Sequence, residues 1–152
     1  MKAEEKINDD VLRAILSKYK NVAIVGLSDN PSRPSYGVAE YLKHNGFHMI
    51  PVNPFVDEVL GEKSHRSLLE IPVEIQRTIE IVDIFRRSED VLSIVEETLK
   101  MKESYDVLRV VWMQLGVINE QAAELARKVG LTVVMNKCMR QEYMRLFGRG
   151  AE

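Results

Sequence analysis

The sequence is poor in sulfur chemistry: Cys138 is its one cysteine. That excludes an internal disulfide and any cysteine-rich zinc site. It also lacks an excess of positive charge. With a formal net charge of −2, no general basic field draws the chain to nucleic acid or to an anionic membrane, so any recognition of phosphate must be local. No apolar run approaches the roughly 20 residues that a membrane-crossing helix needs. The opening MKAEEKINDD is too acidic for a secretory signal, and the expected location is the cytoplasm. His44, His48 and His65 show no ligand spacing with one another or with Cys138, so no metal is expected. There is no Ser-His-Asp set, no Cys-His pair at a recognisable spacing and no carboxylate pair with an evident task. These absences favour a binding protein over an enzyme.

What is present is ordinary globular material: 152 residues, 45% hydrophobic and 29% charged. The length suits one domain with a full core, and no linker, repeat or low-complexity segment divides it. We expect a single domain over 1–152, with an N-terminal helix at about 9–20 and a core at about 21–147. Leu12, Ile15, Leu16 and Tyr19 have helical spacing. Val22 to Val25 is a short unbroken apolar run, as in a strand buried on both faces. A loop follows, and then a helix with Ser35 as N-cap and Gly46 just past its end. A second strand ends at Pro51-Val52-Asn53-Pro54.

Beyond short turns around Gly61 and a helical turn near Ser67 to Glu70, Thr78 to Ile84 reads as a third strand. Ser88 should cap the next helix, whose buried face is Val91, Ile94, Val95 and Leu99. Val107 to Met113 is a fourth strand, Asn119 caps a helix to Lys128, and Leu131 to Val134 is a fifth. A last helix covers Met139 to Phe147. Strands alternating with helices predict an α/β fold: a doubly wound, Rossmann-like, five-stranded parallel sheet in the order 3-2-1-4-5, with helices on both faces. Such sheets bind ligands beyond the carboxyl ends of their strands, which gathers the loops after Val25, Val52, Ile84 and Met113 around one crevice.

The first of these loops, Gly26 to Gly37, leads into a helix start whose free N–H groups favour anions. It lacks G-x-G-x-x-G, and strand two ends at Asn53 rather than at the acid that would read an NAD ribose. Both features weigh against a dinucleotide dehydrogenase. Gly26 and Gly37 suit either a ligand contact or close helix–sheet packing. Arg33 suits phosphate or solvent, and Asn53 suits a ligand or a simple turn. Arg86 and Arg87 follow a strand end, where one would meet phosphate and the other water. Cys138, beside Lys137 and near a helix start, is either a small buried hydrophobe or a thiol placed to meet another thiol.

The segments VGLSDNPSRPSYGVAEYL, PVNP, VLGEKSHRSLLEIP, VDIFRR and VVWMQLGVINEQAAELARKVGLTVVMNKC span Val25 to Cys138. In that order and spacing the chain resembles the small stand-alone CoA-binding proteins, whose single domain is similar to the CoA-binding domain of succinyl-CoA synthetase. His65 departs from the pattern, where an aromatic such as tyrosine would be expected. The resemblance implies coenzyme A as the ligand. Gly26, Leu27 and Ser28, with Ser35, Tyr36 and Gly37, would face its pyrophosphate. Asn53 and Pro54 would flank the nucleotide, Phe85 and Arg86 would form an adenine-side wall and a phosphate contact, and Gln114, Leu115 and Gly116 would line the pantetheine arm. The function implied is binding of coenzyme A or an acyl-CoA as a carrier, sensor or regulatory module. An NAD(P)-dependent oxidoreductase and a ligand-responsive interaction module are the alternatives.

Overall fold

The computed structural model describes residues 7–148. α1 (Asp9–Lys18) opens the chain. Asn8 caps it by accepting the Val11 N–H at 3.0 Å, Asp9 and Asp10 lie in its first turn, and Leu12, Ile15 and Leu16 are buried, as the dipole and the spacing require. The chain continues through β1 (Asn21–Val25), α2 (Pro34–His44) and β2 (His48–Val52). A small hairpin of β3 (Glu58–Val59) and β4 (Glu62–Lys63) follows, then a 3-10 turn at Leu68–Glu70 and α3 (Val73–Gln76). The second half is β5 (Ile81–Ile84), α4 (Val91–Tyr105), β6 (Val110–Met113), α5 (Glu120–Lys128), β7 (Thr132–Val134) and α6 (Met139–Phe147).

The main sheet runs β2-β1-β5-β6-β7, and every pairing in it is parallel. Outside β2, His65 adds a one-residue parallel bridge to Val52. The Asn53 N–H donates to the His65 carbonyl at 2.8 Å, and the His65 N–H donates to the Pro51 carbonyl at 3.1 Å. With that bridge in third place, the sheet has the expected 3-2-1-4-5 winding, with β7 as a sixth position. The segment filling the third place differs from expectation. It is the bridge at His65, and Ile81–Ile84 lies on the other side of β1. The edge stays so short because the chain turns off into the 3-10 segment right after Ser67.

Helices cover both faces. Leu12, Leu16, Val38, Leu42 and Met139 pack with Val22, Ile24 and Trp112 on one side. Val91, Val95, Ala122 and Ala126 pack with Ala23, Val82 and Val111 on the other. Residues alternate between the two faces along each strand.

Two caps differ from the sequence reading. Arg33 holds the N-cap position of α2 and Pro34 is its first residue, the place where proline's missing N–H costs nothing. Ser35 is turned inward instead. Ser88 lies in a 3-10 turn (Ser88–Asp90) ahead of α4, and its hydroxyl accepts the Ile118 N–H at 3.0 Å. Asn119 does cap α5, accepting the Ala122 N–H at 2.9 Å. Among the described residues no helix is long and apolar enough to cross a membrane.

Candidate functional site

The chain leaves β1 to build one side of the sheet and returns at β5 to build the other, so the winding reverses between the carboxyl ends of these two strands. Gly26 follows β1 with φ +90°, a conformation that side chains disfavour. Its N–H donates to the Val52 carbonyl at 2.8 Å, and the Phe85 N–H donates to the Val25 carbonyl at 2.8 Å. A Cβ on Gly26 would run into the Phe85 carbonyl and come within 2.9 Å of Arg86 Cδ. Only glycine lets these strand ends close.

The loop beyond Gly26 is braced by short polar side chains. The Ser28 N–H donates to Ser35 Oγ, the Asn30 N–H to Ser28 Oγ and the Ser32 N–H to Asn30 Oδ1, each at 3.0 Å. Asn53, after β2, ties this loop to its neighbour. Its Nδ2 donates to the Leu27 carbonyl at 2.9 Å, and its Oδ1 accepts the Phe55 N–H at 2.9 Å. The turn-making role and the site-lining role of Asn53 therefore coexist.

These elements enclose a cavity of about 380 Å³ whose walls include Gly26, Ser28, Arg33, Ser35, Asn53, Phe85 and Arg86, with Pro34 and Phe55. Two guanidinium-bearing residues and no carboxylate line it. Arg33 makes no side-chain hydrogen bond or ion pair among the described residues. Arg86 Nη2 lies 3.5 Å from Asp90 Oδ2, and Arg87 Nε lies 3.2 Å from the same oxygen. That contact holds the Arg87 guanidinium above its usual range. The cavity is thus suited to a multiply charged anion, which arginine can bind in bidentate fashion.

A second cavity of about 570 Å³ adjoins the first, with Pro34, Phe85 and Arg86 common to both. Val38, Leu115, Val117 and Cys138 give it largely apolar walls, to which Gln114 and Gln141 add amides and Arg87, beside Arg86, a guanidinium. Gln114 is itself buried, and its Oε1 accepts the Met139 N–H at 3.1 Å, joining the end of β6 to the start of α6. A third cavity of about 180 Å³ opens near Pro54, Arg66, Ser67 and Glu97, and Arg86 reaches its wall too.

Most of the sequence-derived residues are therefore brought together. Gly26, Ser28, Arg33, Ser35, Asn53, Phe85 and Arg86 line the polar cavity, Gln114 and Cys138 line the apolar one, and Pro54 lines the third. Leu27 is fully buried, so it offers the site only backbone, and its carbonyl is engaged by Asn53. Tyr36, Gly37 and Gly116 are outside the walls of these three cavities. Gly116 instead donates its N–H to Asn136 Oδ1 at 2.7 Å. His65 is buried, and burial together with Lys63 lowers its pKa.

The sequence reading missed Pro34 and Phe55 in the walls. It also missed Asp83, a fully buried carboxyl in the middle of β5 with no good hydrogen-bond partner for either oxygen. The signals were available: an aromatic in a polar loop right after PVNP, and an acid inside an otherwise apolar strand.

Comparison with known proteins agrees with this architecture. The family profile described as "CoA binding domain" matches residues 20–144. The Bacillus subtilis protein YneT is 40% identical over 129 residues, 85% of this chain and 89% of that protein. The alpha subunit of ADP-forming acetate–CoA ligase II from Pyrococcus furiosus is 27% identical over 130 residues, 79% of this chain but 27% of the subunit. A solved structure of a hypothetical protein from Pyrococcus horikoshii superposes with a TM-score of 0.85 at 36% identity, covering 97% of this chain and 100% of that one. With the match extending from just before β1 into α6, the chain belongs to the CoA-binding domain family.

Proposed function

We propose that the protein binds coenzyme A or an acyl-CoA across the joined cavities at the carboxyl ends of β1, β5 and β6, as a cytoplasmic carrier, sensor or regulatory module. The observation that carries this reading is the junction itself. A carboxylate-free polar cavity with Arg33 and Arg86 opens, past Pro34 and Phe85, into a larger and mostly apolar one. Coenzyme A has the same order of parts: phosphates, then a long uncharged arm.

In this arrangement the pyrophosphate meets Gly26 to Ser28 and the start of α2 at Ser35 to Gly37, with Arg33 and Arg86 supplying charge. Asn53, Pro54 and Phe85 flank the nucleoside. Gln114 and Cys138 lie along the arm, with Gly116 in the turn just outside their cavity. Family membership supports the choice of ligand. Asn53 supports it over NAD, since its amide is spent on Leu27 and Phe55 and no acid stands at the end of β2 to read a ribose. The ligase subunit that the chain resembles is nearly four times as long as the matched region, and ligase activity forms no part of this proposal.

Calorimetry with CoA, acetyl-CoA, NAD and NADP tests the reading. CoA or acetyl-CoA should bind more tightly than either dinucleotide, and the reverse order would overturn it. Native mass spectrometry of the purified protein would identify a retained ligand by its mass.

A further inference from the structure

Among the large apolar side chains of the described residues, Phe55 is the most exposed, at 88%. A lone exposed phenylalanine is unremarkable on a protein surface, but the place of this one is defined. It stands in the wall of the polar cavity. Its backbone N–H is held by Asn53 Oδ1 at 2.9 Å, while the same amide holds the Leu27 carbonyl at 2.9 Å. One side chain thus fixes Phe55 relative to the loop that follows Gly26. The ring packs into neither core, so its position serves no folding purpose evident in the structure.

We propose that Phe55 is the stacking platform for the adenine ring of the bound nucleotide, an inference that rests on the CoA reading above. An aromatic face at the rim of a site built for phosphates is the surface that a flat base covers, because base and ring both lose water and gain dispersion contact. Phenylalanine carries no hydrogen-bonding group, so it recognises a planar ring rather than a base identity. The alternative seat for the base is the cavity near Arg66. It holds only about 180 Å³, Glu97 lines it, and it meets the polar cavity only at Arg86, whose stem lies over Gly26. Phe55 and Phe85 are the aromatic residues in the walls of the polar cavity, and of the two Phe55 is the one left uncovered.

The test is CoA titration of the wild type, Phe55→Ala and Phe55→Trp. Stacking of this kind predicts that Phe55→Ala weakens CoA about five- to a hundredfold. Phe55→Trp should restore affinity, and its fluorescence should be quenched as CoA saturates the protein. The native Trp112 is fully buried, so it contributes a constant background. A Phe55→Ala protein with wild-type affinity, or a Phe55→Trp protein whose emission does not respond at saturating CoA, would overturn the assignment. A wild type that binds no CoA would instead overturn the ligand reading on which it rests.

Discussion

The carbonyl oxygen of Phe85 fills the space that any side chain on Gly26 would need. Because Gly26 also has φ +90°, a substitution there meets two penalties, one conformational and one steric. Gly26→Ala should lose at least about 1–3 kcal/mol from the backbone conformation alone, with more from pushing β5 away. Urea denaturation of the ligand-free protein measures this loss, which arises within the protein.

Gly37 is the contrasting case. The nearest atom to a Cβ built there is Arg140 Nη1 at 3.6 Å, so a side chain fits. Gly37→Val should keep its unfolding free energy within about 0.5 kcal/mol of the wild type, valine being no worse than glycine in a helix. Its CoA affinity should nevertheless fall, through a branched group beside the pyrophosphate. Unchanged affinity in the folded variant would place the phosphates over Gly26 to Ser28 and away from α2.

Arg86→Ala should weaken CoA about ten- to a hundredfold, since a hydrogen bond to a charged group is worth roughly 1.5–3 kcal/mol. Calorimetry with CoA and with dephospho-CoA shows how much of the loss depends on the 3′-phosphate. A smaller loss for dephospho-CoA means that Arg86 meets that group at least in part, and an equal loss means that it acts on the rest of the ligand.

Asp83 makes stability depend on pH. Burial raises its pKa well above 3.8, and the backbone at Ile84 opposes this only weakly. The folded chain therefore keeps the proton at pH values where the unfolded chain has released it. This contribution is fully present below pH 3.8 and is lost as pH rises from there towards the folded pKa, at up to about 1.4 kcal/mol per pH unit. Asp9 and Asp106 act in the opposite sense, their pKa values being lowered by hydrogen bonds from Arg145 and Lys102. The informative measurement is thus a difference between proteins. Urea midpoints across pH should fall less steeply in Asp83→Asn than in the wild type, and parallel curves would mean that Asp83 does not hold its proton.

Cys138 lines the apolar cavity but is only 8% exposed, and it belongs to the core beneath α6. Incubation with CoA disulfide should therefore leave the intact mass unchanged. A reducible adduct of CoA mass, absent in Cys138→Ser, would instead bring the arm's sulfur to this side chain. Thiolate attack would then release the second CoA as its thiol.

The alternation of strands and helices was legible because each strand is an apolar run and each crossover helix carries its own periodicity. Asn119 capped as read, since the cap is a local matter between Asn119 and Ala122. Ser35 and Ser88 did not, because each hydroxyl accepts from a residue outside the helix it was expected to cap: Ser28 at the other end of the same loop, and Ile118 on a different segment. The cap preference of a serine does not reveal such a competing donor. The third sheet position was misplaced for a related reason: one paired residue, His65, has no strand-like run to reveal it. The glycine–arginine part of the site could be read from its position at strand ends. Phe55 stands out in the sequence only as an aromatic after PVNP; that it is tied to the loop after Gly26 was not legible, because the link passes through the two-ended amide of Asn53.

Arg86 contributes to the walls of all three cavities. Changes at this residue will therefore not have separable effects on the two ends of a ligand, and energies measured there will fail to add with those of its neighbours. A double-mutant cycle between Arg33 and Arg86 should show an interaction energy beyond the roughly 0.3–0.5 kcal/mol within which independent sites sum. One side chain is thus shared by all three compartments, and a group bound in any of them lies within its reach.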